Sequence, residues 1–123
     1  MSTIKANTLL HSDGSTTTAP SIPALDQRMA KAWVDYDQTA NNVLDSYNIS
    51  SVTDVSTGIF RLNFSNNMAS ARYACAGMAN DNRDLSMERG GGVVPTTGGV
   101  TIECRYGTTL DDQGQNTVVI FGE

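Results

Sequence analysis

Apolar and polar positions alternate along much of the chain after Trp33, with the period of two that is typical of β-strands buried on one face. The clearest segments place apolar side chains at every second position: Phe60, Leu62 and Phe64 in one, and Val100, Ile102, Cys104 and Tyr106 in another. The turn Ser56-Thr57-Gly58 separates residues 47–55 from residues 59–64, and this arrangement predicts a β-hairpin.

Three further segments predict strands. One contains AWVDY within residues 31–37, and another, 71–79, carries Tyr73 and Cys75 on one face. The last, TVVIF at Thr117–Phe121, is apolar on both faces. At the edge of a sheet, exposed Val119 and Phe121 would attract other strands, so we expect a second chain to cover one face of this strand. This strand, apolar on both faces, is the best sequence indication of an oligomer.

One short helix is predicted before the first strand. Leu25, Met29 and Trp33 follow one another at four-residue spacing and form one apolar stripe over residues 25–33. A helix of this length is marginal in water by itself, so the stripe needs a partner. We expect that partner to be the same stripe of another copy.

Residues 1–24 predict an extended arm outside the core. Ile4, Leu9 and Leu10 are its apolar anchor residues, and the Ser/Thr-rich stretch that follows contains Gly14 and two prolines. Such a segment cannot bury enough apolar surface to fold alone, so it is expected to dock on another protein or to stay disordered. The N-terminus has no apolar h-region and no cleavage site of a secretory signal, which predicts assembly in the cytosol.

The segment 80–98 lacks both a strand pattern and a helix pattern. Unstructured segments of this length in small domains are usually functional or disordered. Four charged residues in it form the candidate receptor-binding loop: Arg83, Asp84, Glu88 and Arg89. The three glycines at 90–92 would make this loop flexible.

Composition and charge narrow the function classes. The 123 residues allow one compact domain, and their Ser, Thr, Asn, Gly and Val content suits strands joined by turns. The net charge of −5 provides no basic surface for nucleic-acid phosphates. No apolar run approaches the roughly 20 residues that a membrane-spanning helix needs. We therefore expect neither nucleic-acid binding nor membrane insertion.

Candidate catalytic, cofactor and metal sites are weak. The single histidine, His11, lies in the arm, where nothing would tune its pKa. Cys75 and Cys104 lack metal or redox spacing and are expected to be buried free thiols, although a disulfide stays open if the protein ends up outside a cell. The stretch Asp111–Asn116 lacks the closing glutamate of a calcium loop and is interpreted as a turn. The chain is predicted to be no enzyme and to hold neither cofactor nor metal.

Two longer segments carry a resemblance to a known family. AKAWVDYDQT, followed by YNISSVTDVSTGIFRLNFSNNMASARYACAGMA, resembles a module of tailed-bacteriophage tail fibres and related virion proteins, and the leader STIKANTLL resembles the N-terminus of such proteins. The resemblance covers most of residues 1–79. It implies a homotrimer in the virion, assembled in the host cytoplasm, whose N-terminal arm attaches to other virion proteins. The chain has no long shaft between arm and knob, unlike the larger fibres.

The resulting prediction is an all-β chain with an antiparallel, jelly-roll-like β-sandwich knob at 34–123, an arm at 1–24 and a helical oligomerisation segment at 25–33. As a short trimeric fibre it could present the knob to a host-surface glycan or protein. Two alternatives remain open. The chain could be a head-fibre or capsid decoration protein, or a carbohydrate-binding module that stacks sugars on Tyr36 or Tyr47.

Overall fold

The described part of the chain is built of β-strands. A computed structural model describes residues 3, 5–8, 10, 12–14, 28–88 and 94–122, which form nine strands and no helix. In chain order the strands are β1 (Ala32–Asp37), β2 (Asn42–Tyr47), β3 (Ile49–Ser56), β4 (Ile59–Phe64), β5 (Ala74–Ala79), β6 (Asp84–Met87), β7 (Gly99–Tyr106), β8 (Thr109–Leu110) and β9 (Asn116–Phe121).

The strands form two antiparallel sheets. The first sheet has the order β2-β1-β9-β5, and the second has the order β3-β4-β7-β6, with the short β8 paired to the end of β7. The predicted all-β class is confirmed, and so is the hairpin, whose strands are β3 and β4. The first and last strands of the chain are neighbours in the first sheet, where Ala32 pairs with Ile120.

One hydrophobic core lies between the two sheets. Alternate residues of β1, β4, β7 and β9 point into it, as the period of two predicted. The ring centroids of Tyr36 and Phe60 lie 5.1 Å apart, and those of Phe64 and Tyr73 lie 5.7 Å apart. Tyr36 lies in β1 of the first sheet and Phe60 in β4 of the second, so the two sheets face each other across the core, as in a β-sandwich.

Buried amides close the core at the Tyr36 end. Gln38 Nε2 donates a hydrogen bond to Asp54 Oδ1 at 3.2 Å, which links the end of β1 to the second sheet. Asn116 Nδ2 donates to the carbonyl oxygens of Tyr36 and Gln113 at 3.2 and 2.9 Å. These bonds matter because an unpaired buried polar group is costly.

Asn48 lies between β2 of the first sheet and β3 of the second, and its side chain stabilises this connection. Its φ of 55° is in the left-handed region, which asparagine tolerates better than most residues. Its Nδ2 donates to the carbonyl oxygens of Lys31 and Asn66 at 3.0 and 3.1 Å, and its Oδ1 accepts from the Asn66 N–H at 2.7 Å. One side chain thus connects three segments.

The predicted helix over 25–33 is not found in the part of it that the structure describes. Residues 28–31 form a turn and a bend, and Trp33 belongs to β1. The reason is that β1 pairs along its length with β9 and buries alternate side chains, which stabilises a strand more than the four-residue spacing stabilises a short helix. Leu25 lies outside the described residues.

β9 is an inner strand of the first sheet, because β1 pairs with one side of it and β5 with the other. One further expectation about strands was wrong. The segment 80–98 does contain a strand, since β6 pairs with β7. With four residues, β6 is too short to show a clear alternating pattern.

Candidate functional site

The outer face of the second sheet is polar, and its side chains bond to one another. Arg61 donates to Thr101 Oγ1 at 3.3 Å and to Thr96 Oγ1 at 3.0 Å. Glu103 and Arg105 form an ion pair at 2.6 Å. Asn63 bridges two further hydroxyl groups on β3. A face with its polar groups satisfied in this way is suited to water rather than to a protein partner.

The outer face of the first sheet is apolar by contrast. Cross-strand pairing places Tyr47, Trp33, Val119 and Ala76 in one continuous row across all four strands. We call this surface the first-sheet face. It comprises Trp33, Asp35, Asp45, Tyr47, Ala74, Ala76, Met78, Thr117, Val119 and Phe121.

A shallow depression of about 570 Å³ lies on the first-sheet face over β1, β9 and β5. Its lining includes Trp33, Ala76, Met78 and Val119. Met78 is 76% exposed, which is the largest exposure among the exposed large apolar side chains of the described residues. Contiguous apolar surface of this kind marks interaction sites on proteins.

β5 is an edge strand with no protection against pairing. Its sequence ACAGMA carries no charge and no proline, and it pairs with β9 in continuous register without a bulge. The opposite edge, β2, contains a register shift at Leu44 and carries Asp45. Bulges and charges are the usual devices that keep edge strands from joining other chains, so β5 is the more open of the two edges.

Two carboxylates lie side by side at one end of the first-sheet face. Asp35 pairs directly with Asp45 across β1 and β2, and like charges in this position repel each other. Asp35 Oδ2 accepts a hydrogen bond from Gln115 Nε2 at 3.1 Å, whereas its buried Oδ1 has no hydrogen-bond partner among the described residues.

The structure brings three of the predicted oligomer-interface residues together. Trp33 and Val119 are cross-strand partners, and Phe121 follows on the same face. Met29 precedes β1 and is exposed, while Leu25 lies outside the described residues. Ala76 and Met78 lie on the same face but were not predicted for it, because the sequence does not show which strand lies beside β9. The sequence signal that could have indicated this strand is ACAGMA, an uncharged segment of small residues with one methionine.

Three of the four predicted loop residues lie in the described part of the chain, and they differ in exposure and contacts. Arg83 Nε donates to Asp111 Oδ2 at 2.7 Å, and its guanidinium lies 4.7 Å from the Tyr106 ring centroid, so Arg83 fastens the chain before β6 to the β7–β8 region. Asp84 is exposed in β6, whereas Glu88 is buried. Arg89 lies outside the described residues.

The segment after β8 contains Asp111 and Asp112, the acidic residues of the stretch that was weighed as a calcium loop. Asp111 accepts from Arg83 and from Gln113 Nε2, and Asp112 Oδ1 accepts from the Gly58 N–H at 2.6 Å. Both carboxylates thus have structural partners. Within the described residues there is no group of three or more His, Cys, Asp or Glu side chains that could hold a metal ion.

Neither thiol is bonded in the structure. Cys75 is half-buried and Cys104 is buried, and burial raises the pKa of each thiol from 9.0 to about 11. Both therefore stay protonated at neutral pH and are poor nucleophiles. The prediction of free thiols is confirmed, with Cys75 less buried than expected.

The remaining candidates lie in the arm. Ile4, Leu9 and His11 lie outside the described residues, and Leu10 is exposed. None of the described residues belongs to a helix long and apolar enough to cross a membrane. Comparisons of the chain with family models, with characterised proteins and with solved structures gave no match.

Proposed function

We propose that this chain is a non-enzymatic structural protein of a bacteriophage virion, a short fibre-like appendage whose β-sandwich associates with other copies through the first-sheet face. The observation that carries the proposal is the contrast between the two outer faces. The second sheet presents bonded polar side chains, whereas the first presents a row of apolar ones from Tyr47 to Ala76. Apolar surface of this kind is stabilised when a partner removes it from water.

The virion assignment is supported by the resemblance of most of residues 1–79 to tail-fibre modules. In this proposal residues 1–24 attach the chain to other virion proteins through Ile4, Leu9 and Leu10, and the sandwich stands outside the particle. The resemblance implies three copies, and host attachment would be through the exposed parts of the knob.

A jelly-roll-like connection is part of the proposal. Consecutive strands β4, β5 and β6 alternate between the two sheets, and the first and last strands pair inside the first sheet. Both features support the two-sheet arrangement of a jelly roll, which has eight strands in two Greek keys.

Association through the first-sheet face is tested by light scattering coupled to size-exclusion chromatography. The wild-type chain is expected to elute with a mass that is a multiple of 13.1 kDa. Met78→Lys places a charge on the unprotected edge of the face and should raise the dissociation constant about tenfold or more. Val55→Lys, which replaces an exposed apolar side chain on β3 of the second sheet, should leave the dissociation constant unchanged.

The outcome that contradicts the proposal is a monomer at about 100 µM, a concentration at which any association with a micromolar dissociation constant would be visible. Equal effects of Met78→Lys and Val55→Lys would also exclude the first-sheet face as the interface.

Glycan binding is the second candidate, and one observation favours it. The exposed Tyr47 lies directly beside Trp33 on the first-sheet face, which gives two neighbouring rings for stacking on a sugar. The other ring considered, Tyr36, is fully buried and donates from its hydroxyl to Asn41 Oδ1 at 2.9 Å, so it is excluded. A glycan array with the wild-type chain and with Tyr47→Ala tests this; binding that Tyr47→Ala abolishes would support a carbohydrate-binding module.

A further inference from the structure

We infer that the depression on the first-sheet face is a binding site for an amino sugar, a sugar unit that carries a free, protonated amino group. This inference deepens glycan binding, the second candidate function, and rests on it. It adds where the sugar ring lies, which side chains bind its amino group and which glycans the site excludes.

The floor of the depression is formed by short side chains. Val119 and Ala76 are cross-strand partners on β9 and β5, and Gly77 follows in the lining. The larger side chains of Trp33 and Met78 line the depression on either side of this floor. Its volume of about 570 Å³ is in the range of small-molecule sites, so one sugar ring fits on the floor with its apolar side down.

Trp33 provides the stacking surface of this site. It is the cross-strand partner of Val119 and lines the depression. The C–H groups on one side of a sugar ring pack against an indole ring, and the indole face also attracts a cation that lies near it. The exposed Tyr47 lies on the other side of Trp33, so a second unit of the same glycan can pack there.

The polar edge of the depression presents hydrogen-bond acceptors. Asp35 and Thr117 are cross-strand partners, and both line the depression. An ionised carboxylate only accepts hydrogen bonds. The Thr117 hydroxyl donates its proton to the Met78 carbonyl oxygen at 3.1 Å, which leaves the hydroxyl oxygen as an acceptor. A ligand that donates hydrogen bonds at this edge is therefore favoured over one that accepts them.

Charge selects an ammonium group among the possible donors. Asp45 is the cross-strand partner of Asp35, so two carboxylates lie side by side here, and the whole chain has a net charge of −5. A protonated amine is attracted to both carboxylates, and hydrogen bonds between charged groups are about twice as strong as those between neutral groups. The same charges repel glycans with carboxylate, phosphate or sulfate groups. The site should therefore prefer an amino sugar to its N-acetylated form and exclude acidic sugars.

Trp33 is the single tryptophan of the chain, so its fluorescence reports on this site directly. The full chain is titrated with the tetramer of glucosamine at about pH 5.5, where the carboxylates are ionised and the amines are protonated. The tetramer of N-acetylglucosamine, which has the same rings and linkage without the charge, is titrated in parallel. We expect a dissociation constant below about 1 mM for the glucosamine tetramer and one at least about tenfold higher for the acetylated tetramer.

Two substitutions test the carboxylates. Asp35→Asn keeps the size of the side chain and removes its charge, so it should weaken binding of the glucosamine tetramer about tenfold and binding of the acetylated tetramer less than about threefold. Asp45→Asn, at an exposed position, should weaken binding of the glucosamine tetramer about threefold. Asp84→Asn, an exposed acid of β6 in the second sheet, is the matched control and should change neither affinity. Circular dichroism checks that the variants fold.

Three results would overturn the amino-sugar site. They are no change in Trp33 emission up to about 10 mM glucosamine tetramer, equal affinities for the two tetramers, and equal effects of Asp35→Asn and Asp84→Asn. Light scattering on the same samples measures association separately. A chain that associates without responding to sugar would overturn this inference and leave association through the first-sheet face standing. Equal affinities for the two tetramers, both lost in Tyr47→Ala, would overturn the role of the amino group and leave glycan binding standing.

Discussion

Single polar side chains fix the turns of this protein. Asp37 Oδ1 accepts from the Thr39 hydroxyl at 2.6 Å and from the Ala40 N–H at 3.0 Å, and these bonds lower the pKa of its carboxyl group. Asp112 gives the Gly58 N–H a partner in the same way. A backbone N–H in a turn lies outside the strand ladder and has no ladder carbonyl as its partner. A carboxylate that accepts a hydrogen bond from this N–H takes the place of that carbonyl. These positions therefore stabilise the turns, although most of them are near the surface.

Gly58 is the residue whose replacement should be most damaging to a turn. Its φ is +68°, and a Cβ atom there would lie 2.5 Å from the Asp111 backbone nitrogen. Gly58→Ala therefore adds an overlap with rigid backbone to an unfavourable conformation, and we expect a loss of about 2–4 kcal/mol in the free energy of unfolding. Urea denaturation measures it.

Gly107→Ala is the matched control. Gly107 has a similar φ of +59°, but a Cβ atom there meets nothing within 4 Å. Its loss in the free energy of unfolding should be limited to the conformational cost of about 1–2 kcal/mol. Equal losses in the free energy of unfolding for the two variants would contradict the prediction. They would show that the close approach of Gly58 to the Asp111 backbone does not affect stability.

At the scale of the element, the predictability of each strand depended on burial. β4 and β7 each bury one face against the core, so their alternation is clear in the sequence. β2 is exposed on nearly all of its residues, and β8 has only two, so neither leaves a pattern. The helix was predicted from the four-residue spacing of Met29 and Trp33, which is a local pattern. The pairing of β1 with β9 is a contact between distant segments, so the local sequence does not show it.

The first-sheet face was predictable only in part. Val119 and Trp33 stand out as apolar residues at positions where a one-sided strand would have polar ones. Met78 and the carboxylate pair could not be assigned to the same face, because the strand order of the first sheet is not encoded in any single segment. Sheet order arises from the packing of the whole core.

The core strands make the stability of the fold sensitive to alkaline pH. Burial raises the pKa of Cys75 and Cys104 to about 11, and burial together with nearby carboxylates raises that of Tyr36 to about 12. Since these groups lose their protons at lower pH in the unfolded chain, the stability they provide is complete below pH 9 and is lost as pH rises towards 12.

We expect the melting temperature to fall steadily from pH 9 to pH 12, measured by circular dichroism under reducing conditions. The variant Cys75→Ala/Cys104→Ala should be less stable at pH 7, because it loses buried volume, but should lose less between pH 9 and pH 11 than wild type does. Parallel curves for the two proteins over that interval would contradict the assignment of this loss to the thiols.

For the whole molecule, the two sheets enclose one core to which β1 and β9 contribute as much as β4 and β7. Every ladder that the structure describes is formed by residues between Ala32 and Phe121. The sandwich was predicted from the same region, although its start was placed two residues later, at 34. The role of the arm remains a prediction.

Residues 28–123 should therefore fold without the first 27 residues. We expect this fragment to melt within about 3 °C of the full chain, since the described ladders and core remain complete; a change of 1 kcal/mol would shift the melting temperature of a domain of this size by about 4–8 °C. A fragment that is unfolded would show that the N-terminal residues contribute to the core.

The pairing of Ala32 with Ile120 puts the start and the end of the sandwich at the same end of the first sheet. A force applied between these two ends would open the β1–β9 ladder from that end, one hydrogen bond after another. The turn at Gly107 lies at the other end, beyond Ile102 and its partner Phe60, which contacts Tyr36. A pull between the arm and this turn would load the ladders along the strands, so that many hydrogen bonds resist together. A knob tethered by its arm is thus mechanically strongest when its load acts on the end that faces away from the tether.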